Sequence, residues 1–304
     1  MMAIRFVVTK NVVFCFFLFR LMMFLSVTDM CRLCYSLPIL VQEYAASYSV
    51  GALWCKLSRY VVYTSLFIGI YTIVLMSIDR FSALVFPLKS VRFRTKRNMN
   101  IGLAFVLVFS VVINIPVVIL YTSYEQTSNG SNGSRTVDTL TLGKCELQTV
   151  RSETSSPEVT LSIVYFTSFS IFSYFLPVVS IGAMHMIIFF KLVRAGSLRY
   201  SNPSSHAAIH TRAAMIVVVI FITFVVCWTP LHVIYSLFLY TDLQNQVSLL
   251  QLNVAIDASN AMATLNSCAN PYLYILTSSE YRAKLRSLVT RVLGYCKGVR
   301  EYSP

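Results

Sequence analysis

The mostly apolar stretch from Leu57 to Ile78 constrains this chain more than any other part of its sequence. An α-helix of about twenty such residues, rising about 1.5 Å per residue, crosses the roughly 30 Å hydrocarbon layer of a bilayer. The adjacent acid and base Asp79 and Arg80 follow directly. Charges are tolerated at this depth only if they are paired or reach the membrane interface. The stretch therefore predicts a transmembrane helix that ends in a charged pair.

The composition extends this prediction to the whole chain. Of the 304 residues, 56% are hydrophobic and 12% are charged, whereas soluble domains carry roughly 25% charged residues. The net charge is +13, and most Lys and Arg residues lie after Arg80, in the loop after residue 193 and in the C-terminal tail. Short loops rich in Lys and Arg remain in the cytoplasm, so we assign these three segments to the cytoplasmic side. This clustering argues against a nucleic-acid partner.

Five more membrane helices are predicted from apolar runs of suitable length, at about 17–44, 100–121, 159–193, 207–240 and 252–276. Prolines inside them predict kinks, which membrane helices tolerate where neighbouring helices satisfy the freed carbonyl groups. Residues 1–16 are too few for another span and a loop, and we expect them to be an atypical N-terminal segment.

Several motifs follow one another in the order of a known receptor family. Cys55 lies near the outer end of the central helix, Asp79-Arg80-Phe81 lies at its inner end, and Pro87-Leu88 comes shortly after. Cys227-Trp228-Thr229-Pro230 and Asn270-Pro271-Tyr272-Leu273-Tyr274 follow in the last two spans. The chain resembles rhodopsin-like (class A) G-protein-coupled receptors of the neuropeptide type. The strings YTIVLMSIDRF and NSCANPYLY look most similar to allatostatin-A, galanin and kisspeptin receptors.

The resemblance implies an all-α fold, a polytopic seven-helix bundle in the plasma membrane. In this chain the second to seventh helices are recognisable over 17–276, and the family's first helix is missing or truncated. Residues 277–304 are expected to form an amphipathic eighth helix and a cytoplasmic tail, with Cys296 as a lipidation candidate. The two adjacent sequons at Asn129 and Asn132 predict glycosylation, because they lie in a loop on the outer side.

The resemblance also assigns roles to individual residues. A disulfide is expected between Cys55 and Cys145, both on the oxidising outer side. Coupling to a heterotrimeric G protein is assigned to Asp79, Arg80, Phe81, Pro87 and Leu88. Activation is assigned to Ile70, Pro177, Phe224, Trp228, Pro230, Asn270, Pro271 and Tyr274. The tyrosine of the fifth helix that usually partners Tyr274 is replaced by His185, which puts this contact in doubt.

A possible sodium ion is the one cofactor that the resemblance implies. Asp29, Asn266, Ser267 and Asn270 match most of the family's mid-membrane sodium pocket, and an isolated carboxylate there requires a cation or a proton. Arg32 offers an alternative, because residues three apart on a helix are neighbours and an Asp29-Arg32 pair could replace sodium. Both readings remain open from the sequence.

The resemblance predicts an extracellular peptide as the ligand. Val62 stands where amine receptors have an Asp, and Thr264 stands where opsins have the retinal-binding Lys, so neither ligand class is expected. The candidate ligand-binding residues are Arg59, Tyr63, Trp228, His232, Tyr235 and Asn260. The four His residues share no close spacing, and we expect no enzyme. A truncated, non-signalling receptor relative remains an alternative, and a membrane transporter is a weaker one.

Overall fold

The computed structural model describes residues 2–45, 51–127, 141–147, 157–194, 206–240, 249–277, 281–283, 285–287 and 289–291. Nine α-helices, one π-helical turn and one two-stranded sheet make up the elements described over their full length. The helices are α1 Met2–Ala45, α2 Ala52–Val85, α3 Pro87–Phe93, α4 Lys96–Ile113, α5 Ile115–Leu120, α6 Pro157–Ser170, α7 Leu176–Arg194, α8 His206–Tyr240 and α9 Leu249–Thr277. The strands are β1 Tyr121–Thr127 and β2 Thr141–Leu147.

Helix α2 occupies the centre of the bundle. It contacts α1, α4, α5, α7 and α8, and its outer end contacts β1. Its buried face includes Phe67, Ile70, Ile73 and Met76, each at most 3% exposed. The helix predicted from the apolar stretch at residues 57–78 is thus the element around which the other helices pack.

The first helix begins earlier than its sequence suggests. We expected it near Phe17, but α1 runs without a break from Met2 to Ala45. No Gly or Pro occurs before Pro38, so nothing in the sequence stops the helix from extending towards the N-terminus. The predicted boundary at residue 17 was therefore wrong, because it was drawn from hydropathy and not from helix-breaking residues.

Four stretches of the described helices are long and apolar enough to span a membrane: Ala52–Val85, Lys96–Leu120, Thr160–Arg194 and Ala214–Leu237. All four fall on spans predicted from the sequence. Helices α1 and α9 contain more polar residues, among them Asp29, Arg32 and Asn270, and these side chains are buried inside the bundle.

Two proline positions change the helices around them. Helix α4 ends at Ile113, and α5 begins at Ile115 with Pro116 in its first turn. Backbone N–H groups in a first turn make no hydrogen bond within the helix, so proline, which lacks this group, is tolerated there. Between α6 and α7, residues Ile171–Phe175 form a π-helical turn that ends two residues before Pro177. The wider turn accommodates a proline ring that would otherwise clash with the preceding turn.

The polar loop after α5 contains an antiparallel hairpin of β1 and β2, in which Ser123 is paired with Cys145. A disulfide joins Cys145 to Cys55 on α2, with the two Cα atoms 5.4 Å apart. This is the pairing that the resemblance implies, and it holds the hairpin against the outer end of α2. The strands themselves were not predicted.

The described residues beyond α9, at 281–283, 285–287 and 289–291, are helical, as expected for the eighth helix. Tyr281 is buried there, and its ring lies 5.4 Å from that of Tyr274.

Candidate functional site

A cavity of about 90 Å³ lies among α1, α2, α6, α8 and α9. We call it the outer cavity, and its described lining consists of Arg32, Ser36, Arg59, Val62, Tyr63, Leu66, Phe169, Trp228, Leu231, Tyr235, Asn260, Ala263 and Thr264. Five of the six residues predicted to bind ligand, all except His232, are in this lining. The tertiary structure thus brings together side chains from α2, α8 and α9 that are far apart in the sequence.

His232 lies outside this lining, against the inward-facing rings of the bundle. Its side chain is 1% exposed, and its ring centroid lies 4.6 Å from that of Tyr174 and 5.6 Å from that of Phe169. Its Nδ1 atom is 3.4 Å from the hydroxyl of Ser170. In this arrangement His232 supports the packing around Trp228, whose ring centroid is 6.1 Å away.

Tyr121 joins the hairpin to the cavity, a contact that the sequence did not indicate. Its hydroxyl is 2.9 Å from that of Tyr63, and the Arg59 guanidinium carbon is 5.3 Å from its ring centroid. Tyr121 is the first residue of β1, and the Cys55–Cys145 disulfide holds this hairpin on α2. The disulfide therefore fixes part of the wall next to the cavity.

Arg32 forms the floor of the outer cavity. One Nη atom donates to the Ser267 hydroxyl at 3.0 Å, and the other donates to the carbonyl oxygen of Ala263 at 2.7 Å. The guanidinium carbon lies 4.8 Å from the Trp228 ring centroid, within the range of a cation–π contact. Arg32 thus connects α1 to both α8 and α9.

A smaller cavity of about 10 Å³ lies below Arg32. We call it the inner cavity, and its lining includes Leu25, Asp29, Arg32, Ser65, Leu66, Gly69, Ile70, Ile73, Phe224, Trp228, Asn266 and Asn270. Asn270 Nδ2 donates to an Asp29 carboxylate oxygen at 2.7 Å. Arg32, Leu66 and Trp228 line both cavities, so they form the layer between them.

The residues of the predicted sodium pocket do come together, but the donor set fits a resident sodium ion poorly. Ser267 already accepts a hydrogen bond from the Arg32 guanidinium, which lines the same inner cavity. A sodium ion there would lie beside an existing positive charge and would share its oxygen ligands. The Arg32 hydrogen bonds also go to α9 and not to Asp29, unlike the pair suggested by their spacing on α1.

Six of the eight residues assigned to activation are buried, and those below Trp228 form a column of buried side chains, whereas Pro230 and Pro271 are half-buried. The ring centroids of Trp228 and Phe224 are 6.2 Å apart, and Ile70 lines the inner cavity together with Phe224. Pro177, the second residue of α7, is also buried. Pro230 and Pro271 lie inside α8 and α9, where they were predicted.

Tyr274 lies at the inner end of this column and is fully buried, and its hydroxyl has no hydrogen-bond partner within the described part of the chain. His185, at the position of its usual partner, instead has Nε2 3.3 Å from the Ser77 hydroxyl.

The charged pair at the end of α2 is part of a larger network. Arg80 is 0% exposed and donates to Asp79 at 2.5 Å. Arg94 donates to the same carboxylate from Nε at 2.6 Å. Nothing in the sequence singled out Arg94, which lies just after α3 in the middle of a basic segment.

The other three residues assigned to G-protein coupling, besides Asp79 and Arg80, are Phe81, Pro87 and Leu88. The Phe81 ring packs against that of Phe86, with centroids 5.9 Å apart. Leu88 is 89% exposed at the start of α3. Asn129, Asn132 and Cys296, predicted to be modified, lie outside the described residues.

A family model for the 7 transmembrane receptor (rhodopsin family) matches residues 6–274 of the chain. The chain is 27% identical over 267 residues to the allatostatin-A receptor of Bombyx mori, covering 87% of this chain and 68% of that protein. It is 27% identical over 280 residues to a galanin-like G-protein coupled receptor of Caenorhabditis elegans, covering 85% and 62%. It is 26% identical over 261 residues to the human chemerin-like receptor 2, covering 85% and 66%. The matched regions thus span about two thirds of these relatives.

Proposed function

This chain belongs to the rhodopsin family of seven-transmembrane receptors, and we propose that it binds an extracellular peptide and activates a heterotrimeric G protein by outward movement of the inner half of α8. As a member of this family it is a multi-pass protein of the plasma membrane and a receptor, not an enzyme. The ligand class, the coupling and the movement are the proposal.

The observation that supports this proposal most directly is the position of Trp228. Its side chain lines the outer cavity and also the inner cavity beneath it. It lies two residues before Pro230, where α8 lacks a backbone donor and can bend. A ligand that displaces Trp228 from above would therefore act on Phe224 and on the inner half of α8.

The inner end of α2 supports the coupling half of the proposal. Arg80 is fully buried and bonded to Asp79, so it is covered in this arrangement. Movement of α8 away from α2 would expose Arg80 to a partner in the cytoplasm. The exposed apolar side chain of Leu88 lies on the same side, among basic residues.

The names of the relatives and the chemistry of the cavity both support a peptide as the class of ligand. The allatostatin-A receptor, the galanin-like receptor and the mouse neuromedin-U receptor 2 are named for peptides. The described lining of the outer cavity contains no Asp or Glu that could bind an amine. An affinity built from many contacts, as in peptide recognition, suits this cavity better.

The test is expression at the cell surface followed by a peptide library screen with a G-protein dissociation readout. We expect at least one peptide to cause dissociation, and we expect Arg80→Ala to abolish dissociation while peptide binding persists. Lys56→Gln, which alters a cation on the same helix outside the described cavity lining, is the matched control. Binding without dissociation in the unaltered protein would instead identify a non-signalling receptor relative.

A further inference from the structure

Three buried side chains of the outer cavity have donor atoms without a hydrogen-bond partner among the described residues. They are Arg32 at Nε, Ser36 at its hydroxyl and Trp228 at Nε1. Their exposures are only 5%, 9% and 3%. A buried donor without a partner is destabilising, so each such group in a native protein requires an explanation, such as a bound ligand, ion or water. Guanidinium and indole N–H groups cannot accept hydrogen bonds, so the missing group must be an acceptor.

The charge of the lining indicates that this acceptor is negatively charged. Arg32 and Arg59 both line the outer cavity, and its described lining includes no acidic side chain. The hydrogen bonds of Arg32 go to a hydroxyl and a backbone carbonyl, both neutral. The nearby carboxylate of Asp29 accepts its hydrogen bond from Asn270. Asp29 lines the inner cavity beside Arg32 and offsets part of its charge. A negatively charged acceptor in the outer cavity would nevertheless bind the two guanidinium groups of its lining more strongly than a neutral acceptor.

The size of the cavity limits how much of a ligand can enter. Ligand pockets that enclose a whole small molecule measure about 300–1,000 Å³, whereas this cavity measures about 90 Å³. One terminal group or one short side chain fits. A carboxylate accepts several hydrogen bonds in one plane and matches the fork of a guanidinium group.

We propose that the outer cavity is an anion site that binds one carboxylate group of the ligand, between Arg32 at its floor and Arg59 on α2. The carboxylate accepts from Arg32, Ser36 and Trp228, the three donors that lack partners. It comes from the C-terminus of a peptide or from an Asp or Glu side chain near its end. The peptide part of this inference rests on the proposed receptor function, but the anion site does not.

The anion site is tested on the purified full-length chain in lipid nanodiscs, without any signalling partner. The probes are N-acetylglycine and N-acetylglycinamide, which have nearly the same size and differ in charge. We expect the acid at millimolar concentration to raise the unfolding temperature and the amide to leave it unchanged. Equal effects of the two probes, or no effect of the acid, would overturn the proposal.

Three variants of the lining and one control variant locate the effect. Arg59→Gln and Ser36→Ala should each raise the concentration of N-acetylglycine that is needed for a given rise in unfolding temperature. For Arg59→Gln this concentration should rise about tenfold or more, because a charged partner is lost. Lys56→Gln, an equal loss of charge outside the described lining, should leave it unchanged. Arg32→Gln should also weaken the effect of the acid, but it removes the hydrogen bonds between α1 and α9 too. If Arg32→Gln does not fold, the smaller change Ser36→Ala still tests the same wall of the cavity. A uniform loss across all variants, Lys56→Gln included, would contradict a local site.

Matched peptide sets then distinguish the source of the carboxylate. One set has free C-termini, a second has amidated C-termini, and a third is amidated with Asp and Glu replaced by Asn and Gln. Responses lost on amidation identify the C-terminus, and responses lost only in the third set identify a side chain. Stabilisation by N-acetylglycine with no response to any peptide supports the anion site and refutes the peptide-receptor proposal. Equal responses to all three sets support the receptor proposal and refute this inference.

Discussion

Arg94 donates two hydrogen bonds to the carboxylate of Asp79, from Nε at 2.6 Å and from Nη2 at 3.2 Å. Arg80 donates to the same carboxylate at 2.5 Å. Asp79 therefore binds two guanidinium groups, one from its own helix and one from the segment after α3. The carboxylate is 14% exposed, so these bonds are only partly screened by solvent. The two arginines compete for one acceptor, which gives their substitutions different expected effects.

Asp79→Asn should raise signalling in the absence of ligand, because it removes the negative charge that both arginines contact. Hydrogen bonds to charged groups contribute about 1.5–3 kcal/mol, so the ratio of open to closed receptor should rise about tenfold or more. Guanine-nucleotide exchange on the coupled G protein, measured without ligand, reports this ratio. Unchanged exchange would show that Asp79 does not hold Arg80 in the closed state.

Arg94→Gln, unlike Asp79→Asn, should not raise signalling in the absence of ligand. This change leaves Asp79 to Arg80 alone, so exchange without ligand should stay level or fall. Arg92→Gln is the matched control, because Arg92 is an exposed cation in the same segment. If Arg94→Gln raised exchange as much as Asp79→Asn, the closed state would depend on the contact with α3 and not on the pair within α2.

Cys55→Ser should destabilise the protein, because the disulfide connects residues separated by 90 positions. Removal of a native disulfide costs about 2–5 kcal/mol, and its contribution grows with the length of the loop that it closes. Circular dichroism during heating of the purified protein should show a lower Tm. Cys34→Ser, at an exposed free cysteine, should leave Tm unchanged. A reducing agent should lower the Tm of the unaltered protein but not that of Cys55→Ser.

Much of this architecture follows from the sequence. The spans were predictable because the apolar runs are long. The motifs near their prolines and charged pairs then indicated which helix of the receptor family each span matches. The disulfide was implied by the resemblance. These features depend on residues close together in the chain or on a family pattern, and neither requires knowledge of how side chains from different helices meet.

The remaining features depend on tertiary contacts. The spacing on α1 suggested that Arg32 pairs with Asp29, but Ser267 and the Ala263 carbonyl on α9 provide better-placed acceptors. Arg94 reaches Asp79 only because α3 turns the chain back under α2. His232 was assigned to the ligand cavity, yet its ring lies against that of Tyr174. The direction of these side chains is set by neighbours that the local sequence does not reveal.

The orientation of the chain makes the sequons at Asn129 and Asn132 a direct test of topology. The basic segment around Lys89 is assigned to the cytoplasm, and the loop with the sequons follows one span later. Both asparagines should therefore be glycosylated, and Asn129→Gln with Asn132→Gln should remove a mass that a glycosidase also removes. Epitope tags in the two loops should be accessible from opposite faces of the membrane. Accessibility from the same face would contradict the bundle as a whole.

Arg32→Leu should make the protein sensitive to sodium. In the unaltered chain the Arg32 guanidinium lines the inner cavity and donates to Ser267, so a positive charge already lies beside Asp29. We therefore expect the same Tm in sodium chloride and in choline chloride of equal ionic strength. Leucine removes that charge and leaves the carboxylate buried without a cation, so sodium should now bind there and raise Tm.

Gly69→Ser in the same background should strengthen this effect, because it adds a hydroxyl ligand for sodium. The new Cβ atom would meet only a Leu25 methyl group, at 3.3 Å. A sodium-dependent Tm in the unaltered chain would show that Arg32 and a sodium ion occupy the site together.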